Sequence, residues 1–517
     1  MLFNSYEYIL IFLPCVFVLY YIVLRVNIDY ANILLMIFSL YFYAYWSAKY
    51  LPLLLVSGLF NFAAGSWLER TSRWRRPVLT LGVGVNLALL IAFKYTNFLV
   101  AQLDAHLGFD WTSPEIVLPI GISFFTFTQI AYLVDVSRGI CGRYDIWRYI
   151  LFISFFPHLL AGPILHHREM MPQFARRLSW AGYERHISFG LLIFALGLFK
   201  KVWLADSIAP YANSAFAAAD QGVRLSFVAA WWGALAYTFQ LYFDFSGYTD
   251  MAIGSARFFG IRLPLNFNAP YRAFSIIDFW RRWHMTLSRF LRDYLYFPLG
   301  GNRLGPTRRY VNLLVTMALG GIWHGAGYGF AIWGVLHGLY LVINHGWRAL
   351  RSQIPIRDSA PERAVGLLLT FGAVVCGWVF FRAASLEGAG RMLYAMSGLG
   401  GFDSADVGTP LADALQTLRG VKLSTLFSAA LDLDPLPLPA HPVLGSVSGV
   451  LWLLPLVALA MIGPTSQQIA TGVVLCARSG CRRRRLAAAG ATVFISLLFL
   501  LGLARLNHVT EFLYFQF

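Results

Sequence analysis

Apolar runs of 17 or more residues recur from one end of the chain to the other, separated by short stretches where arginine and lysine gather. As a helix, a run of that length crosses roughly 30 Å of hydrocarbon. The pattern predicts spans near 6–24, 30–47, 51–68, 77–95, 117–135, 187–205, 225–245, 310–327, 328–347, 365–382, 446–463 and 486–505. Barrel strands would instead alternate over about ten residues. The expectation is an all-α, polytopic membrane protein of about 11–13 transmembrane helices, built as a single membrane domain over 1–517. The stretch 147–165 is apolar enough to dip in and return. Met1 to Leu24 lacks a basic leader and a small-residue cleavage site, so it reads as the first span.

The polar stretches sort by charge. Basic loops lie at 70–76, 136–148, 257–309, 348–363 and 482–485. Twelve spans thread all five onto one side, which the positive-inside rule makes cytoplasmic, with both termini outside. The segment 399–445 is rich in Gly, Pro and Asp, carries only Arg419 and Lys422 as cations, and falls on the outer face as a loop. Composition agrees: 58% of the 517 residues are hydrophobic and 13% charged, against about a quarter charged in soluble domains. The net charge of +16 sits in short loops beside spans, so it reports orientation rather than nucleic-acid binding. The five cysteines lack C-x-x-C spacing and read as buried or interfacial thiols.

Candidate chemistry concentrates in 240–347. An ionisable residue inside a span is costly in hydrocarbon and is a functional hypothesis by default. His324, in Gly320-Gly321-Ile322-Trp323-His324-Gly325, fits that rule. It lies fifteen residues past Arg309, roughly 22 Å from the basic side along a helix. Histidine can take a proton from a hydroxyl near neutral pH, letting the oxygen attack a thioester. The same position also suits a buried histidine bonded to a neighbouring helix. His284 and His337 compete for the role. Around His284, Phe279-Trp-Arg-Arg-Trp-His284 and Arg289-Phe-Leu-Arg292 interleave cations with aromatics, which predicts a helix lying in the cytoplasmic interface. Arg281 and Arg282 there would attract a phosphate-bearing donor or anionic lipid. Asp244 and Asp250 end the preceding span, as supporting carboxylates or as ion-pair partners between helices. His158, His166 and His167 lack metal-ligand spacing, and no metal is expected.

These motifs resemble a known family. Asp244-Phe-Ser-Gly-Tyr-Thr-Asp-Met-Ala-Ile-Gly254, Leu263-Pro-Leu-Asn-Phe-Asn268, Phe279-Trp-Arg-Arg-Trp-His-Met-Thr-Leu-Ser288, Gly320-Gly-Ile-Trp-His-Gly-Ala-Gly327 and Trp333-Gly-Val-Leu-His-Gly338 are similar to the membrane-bound O-acyltransferases, in particular their bacterial alginate O-acetylation branch. Ala161-Gly-Pro163 with Pro172-Gln173 adds a weaker match. The resemblance implies helices, some re-entrant or interfacial, around a tunnel. It implies catalysis by His324 next to Trp323, with no bound cofactor. It implies a donor substrate at the cytoplasmic face, acetyl-CoA or another acetyl thioester. The acetyl group would end on an exported polysaccharide, alginate- or cellulose-like, through a periplasmic acetyltransferase partner, in a bacterial inner membrane. Peptidoglycan or teichoic acid is the alternative acceptor. A transporter or lipid flippase is the alternative class, against which no paired half-repeat is found.

The tail reads Phe512-Leu-Tyr-Phe-Gln-Phe517. Phe512-x-Tyr514-x-x-Phe517 resembles the terminus of the small membrane peptide of teichoic-acid D-alanylation systems. Tyr514 is therefore a candidate acyl relay, since a phenol can accept an acyl group and a phenyl ester can pass it on. An aromatic anchor at the outer interface is the other reading.

Overall fold

The computed structural model describes residues 1–108, 116–141, 144–160, 162–352, 359–401, 447–508 and Leu513. Every regular element in them is helical. The first group is α1 (Leu13–Val26), α2 (Ile28–Ser47), α3 (Leu51–Arg70), α4 (Arg75–Lys94), α5 (Thr96–Leu107) and α6 (Ile122–Ser137). A shorter set follows: α7 (Ile146–Ser154), α8 (Phe156–Leu159) and α9 (His167–Phe174). Then come α10 (Trp180–Phe199), α11 (Asp206–Asp220), α12 (Phe227–Phe258), α13 (Ile276–Trp280) and α14 (Met285–Leu291). The chain continues through α15 (Gly305–His324), α16 (Tyr328–Arg351), α17 (Ala360–Arg382), α18 (Leu386–Met396), α19 (Val447–Met461), α20 (Ser466–Ala477) and α21 (Arg482–Ala504). Helix starts carry their caps: Ser179, Ser226, Ser275, Ser359 and Ser385 each accept a backbone N–H of the first turn.

Among the described residues six helical runs are long and apolar enough to cross a membrane, and a seventh arises if Leu453–Met461 and Ser466–Ala477, bent by 65°, count as one span. Two of the six runs, Ile28–Arg70 and Trp180–Asp220, hold two helices each. The remaining expected spans are helices too, but with different surroundings. Helix α6 has only 16 residues and is almost wholly buried. Helix α12 reaches 32 residues and is buried along most of its length. Hydropathy marks both as spans; what it does not show is that protein rather than lipid surrounds them.

Helix α12 is the central post. It packs antiparallel to α10 and α11, which a π-helical turn, Lys200–Ala205, joins. Gly190 meets Gly254 and Gly197 meets Gly247 across this seam. A Cβ on Gly197 would stand 2.6 Å from the Gly247 carbonyl oxygen, and one on Gly247 would stand 2.8 Å from that of Gly197. Small residues at such a seam let backbones approach where no hydrophobic force drives helices together. Nearer the first helices, polar side chains do the joining. Asn86 Nδ2 donates to Asn61 Oδ1 at 2.7 Å, and Ser57 Oγ donates to Gln129 Oε1 at 3.0 Å.

The stretch 147–165 does dip and return. Arg148 pairs with Asp29 at the α1–α2 turn, at 2.8 Å. Helix α8 then brings Leu159 against Gly121, at the start of α6. The chain comes back to place His167 2.9 Å from Asp135, near the end of α6.

The basic loops gather on one face. Arg138 reaches the Asp293 carbonyl, Gln173 bonds the backbone of Arg262, and Arg478 lies 3.6 Å from Glu184. The start of α17 packs on Phe274. At the opposite face Asp220 binds the Ser385 N–H and Arg224 the Gly400 carbonyl. Residues 402–446, hence nearly all of the expected outer loop, lie outside the described residues.

The interfacial helix expected over 275–297 is a correction. This stretch is broken at His284, a non-glycine residue at φ 41° and ψ 53°. Its Phe279, Trp280, Trp283, Leu287 and Phe290 are buried. The aromatics face the protein's own core rather than headgroups. The cysteines differ as well: Cys15 and Cys481 are exposed on the protein surface and the other three half-buried.

Candidate active site

His324 ends α15 and is 5% exposed. Glycines seat it there. Gly321 faces Gly334 of α16, where a Cβ on Gly321 would stand 2.8 Å from the Gly334 Cα, so the α15–α16 hairpin closes tightly below the imidazole. Three aromatics wall the ring: Trp323 at 4.9 Å, Trp333 at 5.1 Å and Phe381 at 5.2 Å between centroids. Lys94 Nζ, from the end of α4, donates to the Trp323 carbonyl at 2.6 Å and to the His324 carbonyl at 2.8 Å. Those oxygens are orphan acceptors of a helix C-terminus, where a cation is favoured. Tyr95 OH donates to the Ile322 carbonyl.

His284 completes the centre. Its ring lies 6.4 Å from that of His324, so one small group can touch both. Asn266 fixes it: Asn266 Oδ1 is 3.0 Å from His284 Nδ1 and accepts from Thr286 Oγ1 at 2.9 Å, while the Asn266 carbonyl accepts from Met285 N at 2.9 Å. These bonds hold the left-handed backbone of His284, a conformation that costs on the order of 1–3 kcal/mol and persists where the surroundings impose it. Phe245 of α12 packs edge-on against the ring at 4.9 Å. His337, the other competitor, is buried among Phe279, Trp280, Trp333 and Trp378, with Trp333 standing between it and His324.

Two clefts flank this centre. A cleft of about 490 Å³ is lined by Lys94, Pro119, Ser123, Leu160, Trp323 and His324. It lies at the end of α15 away from the basic loops. On the basic side, a cleft of about 1500 Å³ is lined by Arg281, Arg289, Arg292 and His345, with Thr316 and Met317 on the α15 wall. Thr316 is eight residues before His324, roughly 12 Å along the helix. Arg289 forks onto Glu169 at 2.6 and 3.0 Å and Arg292 onto Asp293 at 2.8 Å. Arg281 is exposed and, among the described residues, has no carboxylate within 4.0 Å. Arg282 is absent from the lining and pairs with Asp278 at 2.9 Å.

The expected residues are therefore partly united. His324, Trp323 and His284 meet, and Arg281 stands in the basic cleft. Asp244 and Asp250 stand on the α10–α12 seam, paired with Lys201 and Lys200, each at 2.8 Å. The Leu513 N–H donates to Asp244 Oδ2 at 3.2 Å; Tyr514 lies outside the described residues. His158 bonds the Phe152 carbonyl, His167 bonds Asp135 rather than Asp244, and His166 bonds Tyr294. The sequence reading missed Lys94, although Lys94 in Leu89-Leu-Ile-Ala-Phe-Lys94 is itself a charge within a span and carried the same signal as His324. It also missed the role of Asn266, which lies inside the Leu263–Asn268 motif but whose bond to His284 the spacing does not encode.

The family profile described as membrane-bound O-acyltransferase matches residues 8–386. The chain belongs to that family. It is 43% identical over 434 residues to the peptidoglycan O-acetyltransferase of Helicobacter pylori, covering 78% of this chain and 80% of the relative. It is likewise 43% identical over 430 residues to a probable alginate O-acetylase of Azotobacter vinelandii, covering 80% and 82%. A teichoic acid D-alanyltransferase of Streptococcus thermophilus is 26% identical over 280 residues, covering 51% and 68%. The protein is an O-acyltransferase and a multi-pass membrane protein, as the motifs around His324 led one to expect.

Proposed function

We propose that the protein is an O-acetyltransferase that takes acetyl from a thioester on the basic face and delivers it across the membrane for O-acetylation of an exported polysaccharide. The observation that carries this is the position of His324 between a cationic cleft on the side where the basic loops gather and a separate cleft opening the other way. Arginine suits phosphate, so Arg281 and its neighbours fit a phosphate-bearing donor such as acetyl-CoA. The thioester would reach inward along α15, and the acceptor hydroxyl would enter from the opposite face. His324 takes the hydroxyl proton as the oxygen attacks the thioester carbon. A C–O bond forms, the C–S bond breaks, and the proton passes through the imidazole to the departing thiolate. His284, held by Asn266, orients the group caught between the two rings.

The alginate and peptidoglycan relatives match to the same degree, which supports an exported polysaccharide as the acceptor class without choosing between them. A periplasmic partner would complete transfer to the polymer, Tyr514 would serve as the relay residue, and a bacterial inner membrane is the setting. The test uses the purified full chain in sealed vesicles. Labelled acetyl-CoA is supplied on one side, and alginate or peptidoglycan fragments with periplasmic extract on the other. Label crossing to the polymer supports the reading. Label remaining with the donor, or coenzyme A itself crossing, overturns it.

A further inference from the structure

One wall of the cleft beside His324 has no part in the proton transfer. Of the two clefts only this one, of about 490 Å³, has His324 in its lining, so charge that develops at the reacting carbon develops here. Lys94 and His324 are the only ionisable residues of that lining, and no carboxylate is among them. The start of α6, at Gly121, Ile122 and Ser123, forms part of the same wall. Phe124 meets the Trp323 ring edge-on at 6.1 Å and Phe127 stacks on it at 4.7 Å, which fixes the first turn of α6 against the end of α15.

That turn carries donors without acceptors. A helix begins with N–H groups that have no partner in the helix itself, and a capping side chain usually meets one of them. In α6 the cap is Gly121, which has no side chain to offer and whose Cβ, if it had one, would stand 2.6 Å from the Leu159 carbonyl oxygen. The Ile122 N–H finds the Pro119 carbonyl at 3.2 Å, and the Phe124 and Phe125 N–H groups both find the Gly121 carbonyl at 3.0 Å. The Ser123 N–H finds no acceptor among the described residues, and neither does the Ser123 hydroxyl, although the residue is only 9% exposed. A buried donor left unmatched is costly unless something else meets it. Lys94 Nζ, in the same wall, gives two of its three N–H donors to the Trp323 and His324 carbonyls. The third has no acceptor among the described residues. The dipole of α6 adds partial positive charge at this end.

We propose that Ser123, through its N–H and its hydroxyl, and Lys94 form the oxyanion site of acetyl transfer. As the acceptor oxygen attacks the thioester carbon, a C–O bond forms and the carbonyl π pair moves onto the carbonyl oxygen. That oxygen lies on the Ser123 N–H, the Ser123 Oγ–H and the third N–H of Lys94. The pair returns as the C–S bond breaks, and the departing thiolate takes the proton from the His324 imidazolium. Donors fixed in place before the charge appears stabilise the transition state more than the substrate, so their contribution falls on kcat. The inference rests on the acetyl-transfer reading.

The test uses the purified full chain, acetyl-CoA, and two unreactive coenzyme A analogues. S-acetonyl-coenzyme A is a plain ketone and mimics the bound donor. S-trifluoroacetonyl-coenzyme A hydrates readily, and its hydrate anion mimics the tetrahedral oxyanion. Ser123→Ala should lower kcat by about 100-fold, the lower end of the range for losing one such donor. The KM for acetyl-CoA should stay within about twofold, because the lost contact is made only in the transition state. The same variant should weaken the trifluoro analogue by a factor similar to the fall in kcat and leave the acetonyl analogue unchanged. Ser123→Thr keeps the hydroxyl and should recover most of the activity. An unchanged kcat in Ser123→Ala, or equal weakening of both analogues, overturns the proposal while leaving His324 as the base. A loss confined to the KM for the acceptor shows that these donors hold an anionic group of the acceptor, and overturns it as well. Failure of the parent protein to bind either analogue overturns the thioester reading itself, and the proposal with it.

Discussion

Lys94 Nζ holds the His324 carbonyl oxygen at 2.8 Å, tying the end of α4 to the end of α15 at the catalytic centre. The contact joins residues 230 apart in sequence and fixes where the imidazole points. Lys94→Met keeps the length of the side chain and removes both bonds. It should lower kcat by roughly 10- to 100-fold, the order expected when a catalytic group is misplaced by about 1 Å. The KM for the thioester should stay within about twofold, because the donor cleft does not include Lys94. Steady-state acetylation with purified protein reads both. An unchanged kcat would show that the cap is dispensable.

The two histidines near the centre should separate in severity. His324→Ala removes the proton acceptor and should cost about 10²- to 10⁴-fold in acetyl transfer, the range for loss of a general base. His284→Ala should cost less, because a group that positions another tolerates loss better than one that moves the proton. Both variants should remain in the membrane at normal levels. Polymer acetylation in cells and transfer in vesicles measure the ranking, and a harsher effect at His284 would reverse the assignment.

How far the sequence alone could see follows from these residues. The Gly320-to-Gly327 motif exposes His324 because a titratable group flanked by glycines in an apolar run has few structural excuses. Helix count was less legible. Hydropathy cannot tell lipid from protein interior, so the buried α6 and the re-entrant 147–165 resemble spans in composition alone. His284 was misplaced for a related reason: alternating arginine and tryptophan look interfacial until Asn266, 18 residues earlier, folds the stretch inward. Asp244 and Asp250 are legible as ion-pair partners between helices, but not their partners, Lys201 and Lys200. Spacing along the chain does not encode which helix faces which.

Sidedness can be read directly. In a background with the native cysteines replaced by serine, Arg73→Cys and Arg303→Cys should be shielded from an impermeant thiol reagent in intact cells and react after permeabilisation. Ser404→Cys, in the acidic loop, should react without it. The opposite pattern would place the donor cleft outside the cell and overturn the direction of transfer.

Tyr514 can be tested by one atom. Tyr514→Phe keeps the ring and removes only the hydroxyl, so protein levels should not change while polymer acetylation falls by at least about tenfold, as loss of a covalent relay requires. Trapping with labelled donor should leave acetyl on the wild-type tail peptide, seen by mass spectrometry after proteolysis, and none on the variant. Parental acetylation in Tyr514→Phe would reduce the tail to an anchor.

The paired charges on the α10–α12 seam bear on how the protein is made. Lys200 and Lys201 sit in the π turn opposite Asp250 and Asp244, and each charge alone would penalise entry into the bilayer by about 2.5–3.5 kcal/mol. A translocon offered α12 alone meets two unneutralised carboxylates, and offered α10 with α11 it meets Lys200 unneutralised, Lys201 having Asp206 at 2.6 Å; offered the hairpin, it meets ion pairs already closed. The six residues from Gln221 to Ser226 between α11 and α12 are short enough for that closure to happen while the chain is still emerging. Biogenesis of this enzyme should therefore proceed at this seam by lateral release of a helical hairpin rather than one helix at a time.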